Sequence, residues 1–191
     1  GTVVAEEAGR FLSTRFKYIK FSGEYRRFHK FEPGRVFAWR FLIASMGPIR
    51  GSNVTPVEER FFSGGSYSVR GWGRQLLGPL NVDTRIDTLD NMEIDTVRSV
   101  VPVGGNSIIE GSFEFRSTIY KKLSGALFLD YGNVWENSDG YDLFDLRYAL
   151  GVGLRYNTFI GPIRVDFAWK LNPQPLDEDR FQLHVSIGHA F

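Results

Sequence analysis

Apolar and polar residues alternate with a period of two in one segment of this chain after another. That spacing commits it to strands and to a sheet with two unlike faces. In Val36–Ala44, the residues Phe37, Trp39, Phe41 and Ile43 share one face, opposite Arg40. Ile108–Ile119 sets Ile109, Phe113, Phe115 and Ile119 against Glu110, Ser112, Glu114 and Arg116. Leu123–Tyr131 sets Leu127, Leu129 and Tyr131 against Ser124, Ala126 and Asp130. Arg147–Thr158 and Pro162–Leu171 repeat the pattern, with Arg155, Arg164, Asp166 and Lys170 on their polar faces. The last segment, Arg180–Phe191, opposes Phe181, Leu183, Val185, Ile187 and Phe191 to Gln182, His184 and Ser186. Turn residues at Asn137–Gly140, Gly161–Pro162 and Asn172–Pro175 separate these runs.

Upstream, Phe11–Phe31 reads as one long strand or a hairpin, with Gly23 as a candidate bulge, and Val3–Glu7 as a further short strand. The expected fold class is all-β: an antiparallel barrel with seven or eight strands visible and essentially no helix. From Ser45 to Gly105 runs a connection without clear periodicity, far longer than the usual ~2–6 residues. A loop of that length in a compact sheet is expected to be functional or disordered.

Composition narrows the function classes. The 191 residues carry a net charge of +1, which removes the electrostatic argument for nucleic acid. With no cysteine there is no disulfide framework, thiolate nucleophile or Cys-based zinc site. His29, His184 and His189 lack metal-ligand spacing, and the glycine-rich run Gly64–Gly73 lacks the Gly-Lys-Ser/Thr ending of a phosphate loop. No catalytic residue, metal or cofactor is expected, and no enzyme activity.

Alternation leaves two architectures open. A soluble ligand-binding barrel would turn its aliphatic face inward. An outer-membrane barrel would turn it toward lipid around a polar interior. The apolar faces of the last five segments run about 9–11 residues, the length of a tilted membrane strand. Their opposite faces mix both charge signs with glycine and serine and carry few lysines. Both features favour the membrane.

The long connection also contains Arg60–Trp72, in which Gly64 and Gly65 precede Val69-Arg70-Gly71-Trp72. Gly104-Gly105-Asn106 then leads to a strand holding Ser112–Phe115; Phe128-Leu-Asp130-Tyr-Gly132 and Gly151-Val-Gly-Leu-Arg155 follow, then Gly161–Asp166. This ordered set resembles the BamA/TamA outer-membrane assembly-factor superfamily, the bacterial surface antigen barrels, over its C-terminal portion. The resemblance implies a barrel of about sixteen strands whose long loop folds back into the lumen. It implies that Arg70 docks on Asp130, with Glu114 as second carboxylate, and that Gly71 lets the loop turn and approach the wall. Residues 1–191 are then one transmembrane portion with the long loop at about 45–105.

The function so implied is insertion or translocation of outer-membrane proteins, the partners being outer-membrane lipid and client outer-membrane or secreted proteins. A dedicated secretion pore of the same superfamily is the alternative within it. Phe181, Leu183, Val185, Ile187 and Phe191 resemble a C-terminal barrel signal. About half the family's strands are present, so missing N-terminal strands or a second copy are expected to complete the barrel. Closure at eight would leave no lumen for the Arg70 loop.

Overall fold

The computed structural model describes residues 1–8, 17–49, 54–88, 94–159, 161–188 and 190. Its strands are β1 (Thr2–Ala8), β2 (Tyr18–Glu32), β3 (Arg35–Pro48), β4 (Leu80–Thr88), β5 (Ile94–Pro102), β6 (Ser107–Tyr120), β7 (Leu123–Trp135), β8 (Arg147–Thr158), β9 (Gly161–Lys170) and β10 (Phe181–Ile187). Eight of them form one antiparallel sheet in the order β1-β2-β3-β6-β7-β8-β9-β10. Among the described residues β1 and β10 are its two edges, so the sheet is not closed on itself.

Connections alternate in length. Tight turns join β2 to β3, β6 to β7 and β8 to β9, and long segments join the strands at the other rim. Gly34, at φ +82°, makes the first of those turns. Short turns at one rim and long loops at the other are the habit of outer-membrane barrels.

The two faces have opposite characters, and the apolar one points out. Phe113, Leu127, Val152, Leu154, Phe167 and Trp169 are exposed, and Val185 reaches 70% exposure. Glu110, Ser112, Glu114, Asp130, Arg155, Arg164, Asp166 and Lys170 are buried instead. A water-soluble barrel has this arrangement reversed; a sheet against hydrocarbon has it as found. Aromatic rings also run across neighbouring strands on the outer face, Phe113 to Tyr131 at 5.9 Å and Tyr131 to Tyr148 at 6.4 Å between centroids.

One open choice is settled and two sequence expectations need correction. Residues 18–32 form one strand rather than a hairpin, while the start expected at Phe11 lies outside the described residues. Gly23 pairs regularly with Val3 and Ile43; the irregularity falls between Lys30 and Glu32. The long connection is also not devoid of strands, since β4 and β5 form a separate hairpin, Leu80 opposite Pro102 and Thr88 opposite Ile94.

Candidate functional site

Register assembles a patch of chemistry on the inner face before the loop arrives. Ser112 of β6 lies opposite Asp130 of β7, and Glu114 opposite Phe128. Phe128 in turn faces Gly151 of β8, where an added Cβ would stand 2.2 Å from the Phe128 ring. Gly151 therefore gives the ring room to lie along the wall. Asp166 of β9 is paired with Gly153 on one side and His184 of β10 on the other.

The loop is folded to present one arginine to this patch. Bridges between Phe61 and Gly105 and between Ser63 and Leu77 close it into a compact tongue. Gly64 and Gly65 take φ +100° and +112°, left-handed conformations that other residues avoid. The tight turn thus belongs to Gly64 and Gly65. Gly71 supplies close approach: a Cβ there would lie 2.6 Å from the Ala149 side chain of β8. Trp72 is fully buried with Val69, Leu77 and Ala149, and its Nε1 donates to Asp177 at 2.8 Å.

Arg70 is 1% exposed and makes contact in every direction its fork allows. Its Nε and Nη2 donate to the two oxygens of Asp130, each at 2.8 Å, and its backbone N–H donates to Asp130 Oδ2 at 3.0 Å. Nη1 donates to Glu114 Oε2 at 2.7 Å, while Nη2 reaches Ser112 Oγ at 3.3 Å. The guanidinium lies 3.3 Å over the Phe128 ring. Its carbonyl oxygen is 2.9 Å from His184 Nε2. Bidentate pairing, a second carboxylate and an aromatic floor are what arginine offers and lysine does not.

Burial alone would pull the Arg70 pKa down, but the charge and hydrogen bonds of Asp130, then the charges of Glu114 and Asp166, more than reverse this and raise it. The loop therefore carries a permanent positive charge. Around it the network widens. Glu114 also meets Arg155 at 2.9 Å and accepts from Arg116 Nε. Asp166 lies 3.5 Å from each of Arg70, Arg155 and Arg164. A second anchor sits lower on β6, where Glu110 accepts from Ser63 at 2.6 Å and from Ser68.

Arg70, Gly71, Val69, Trp72, Glu114 and Asp130 thus meet at one place, with Gly64 and Gly65 shaping the tongue behind them. Phe181, Leu183, Val185 and Ile187 do not join this cluster; they face outward along β10. Phe191 and His189 lie outside the described residues. Sequence reasoning did not include Ser112, Phe128 or His184 among the loop's partners. The available signal was that Ser112 and His184 share the polar faces with the expected residues, and that Phe128 is an aromatic in register with Asp130.

The sequence model of the Omp85 superfamily domain matches residues 2–191. The chain belongs to the Omp85 superfamily. Among solved structures it is similar to BamA from Haemophilus ducreyi lacking POTRA domains 1-3, with a TM-score of 0.66 and 19% identity. That match covers 87% of this chain and 34% of the other, so the Omp85 barrel portion here spans about a third of that relative's length. At this identity the likeness speaks for the fold alone: an antiparallel β-barrel sheet.

Proposed function

We propose that this Omp85 chain is the C-terminal barrel portion of a protein that inserts or translocates outer-membrane proteins. Its outer face meets lipid, and strands beyond those described close the barrel, because unpaired edges in hydrocarbon leave backbone groups unsatisfied. No bond is made or broken in this reading. The work is done by strand pairing, with β10 as one side of the weak seam of the closed barrel, where an incoming strand adds. The observation that carries the reading is the tongue clamped through Arg70 inside a sheet whose last strand, among the described residues, has one neighbour.

The test replaces the natural gene with Arg70→Ala and follows folded outer-membrane proteins by their heat-modifiable migration. Accumulation of unfolded clients, with the variant itself still inserted, supports the proposal. Normal client assembly by a variant whose loop has come free overturns it. Loss of one secreted protein, with general assembly intact, selects the dedicated secretion pore.

A further inference from the structure

The tongue does more than dock on the wall: its tip reaches the edge of β10. Tyr67 Oη donates to the backbone carbonyl of Ile187 at 2.6 Å. The tip is gripped from below as well. Arg164 of β9 places its guanidinium 5.0 Å over the Tyr67 ring and donates Nη2 to the Ser66 carbonyl at 3.1 Å. His184 of β10 holds the Arg70 carbonyl three residues further on.

Which way the Ile187 carbonyl points follows from the ladder. In an antiparallel pair, alternate residues exchange hydrogen bonds with the neighbour and the others turn theirs away. Gly188 donates to the Pro162 carbonyl and Lys170 to the Arg180 carbonyl, both at 2.8 Å. The even-numbered residues of β10 therefore bond to β9. Phe181, Leu183, Val185 and Ile187 direct their backbone groups to the open edge. Across β9 the parity agrees, since Leu171 donates to Tyr148 on the β8 side.

We propose that Tyr67 is an edge cap: it occupies the Ile187 position of the β10 edge and governs how far an added strand can pair. This rests on the reading of β10 as the strand that accepts a partner. A carbonyl can accept twice, so saturation alone would not exclude a strand. The phenol competes with the incoming N–H for that oxygen, and its bond brings the tongue tip against the edge. Pairing is then open from Phe181 to Val185 and stopped at Ile187 until the tip withdraws. Loop position and edge length become one variable.

The experiment uses the full-length protein in detergent micelles and, as probe, a synthetic peptide of residues 181–187 with one added cysteine. The chain has no cysteine of its own, so Leu183→Cys and Ile187→Cys report capture at two points along the edge. With Tyr67 present, disulfide capture is expected to be fast at 183 and slow at 187. Tyr67→Phe, which removes only the hydroxyl, should raise capture at 187 by roughly five-fold, the worth of one hydrogen bond, and leave 183 unchanged. An unchanged ratio with capture still occurring overturns the cap alone. An equal rise at both positions marks general loosening and also overturns it. No capture at either position, in either protein, overturns the edge-addition reading and the cap with it.

Discussion

Replacing Arg70 by alanine leaves Asp130, 0% exposed, without its cation, while Glu114 keeps Arg155 and Arg116. Breaking a buried pair in this one-sided way costs about 3–5 kcal/mol. The expected outcome is a released tongue and an intact sheet: faster protease cleavage between 54 and 79 in the membrane-embedded protein, with unchanged far-ultraviolet circular dichroism. Unaltered protection would count against the clamp. Arg70→Lys should release it too, since a point charge cannot bridge both oxygens of Asp130 while stacking on Phe128. Asp130 and Glu114 were legible beforehand because both fall on polar faces near a matching motif. Phe128 was not, because an aromatic residue is counted as apolar wherever it lies. Its inward placement follows from lying two residues before Asp130 on the same face, and Gly151 opposite leaves room for the ring.

Strand faces set the next expectation. Phe167→Arg or Trp169→Arg should weaken the membrane-embedded sheet by ~2–4 kcal/mol near the bilayer midplane. Gln182→Arg, on the inner face of β10, should cost much less in the same refolding titration from denaturant into lipid vesicles. Comparable losses would reverse the face assignment. Ser112 is a poor inner-face control, because its hydroxyl donates to Asp130 at 2.6 Å. The hairpin β4–β5 is a different kind of element: it stands apart from the main sheet, and Val82 and Val100 are exposed. Replacing residues 82–100 by a short turn should leave the tongue protease-resistant, since its closing contacts are Phe61 with Gly105 and Ser63 with Leu77. New cleavage within 61–77 would show the hairpin to be a support. β8 was readable to its ends because period two runs unbroken through Arg147–Thr158. The hairpin carries the same signal in Leu80, Val82, Thr84 and Ile86, but the run is short and set between Gly78-Pro79 and the carboxylates Asp87 and Asp90, which read as loop.

At the scale of the whole molecule, the tongue occupies the space an eight-stranded closure would need. On the proposed completion by further strands, these 191 residues produced alone should therefore not give a closed monomer in detergent, whereas the completed protein should. Native mass spectrometry of both decides it: a strictly monomeric segment with a protected tongue would sink the idea of completion by further strands. The eight strands of the main sheet were legible from periodicity; that they leave two edges open was legible only through the family resemblance, because closure depends on partners that local pattern does not describe. The outward apolar face has one more consequence, which concerns transit. Mean hydropathy is only −0.20, and no described helix is long and apolar enough to cross a membrane. A bilayer that retains chains by capturing ~20-residue apolar helices meets none among the described residues. The greasy surface does not exist in the extended polymer, where every second residue cancels its neighbour. It comes into being only as strands pair, so the compartment in which pairing happens decides which membrane receives the protein.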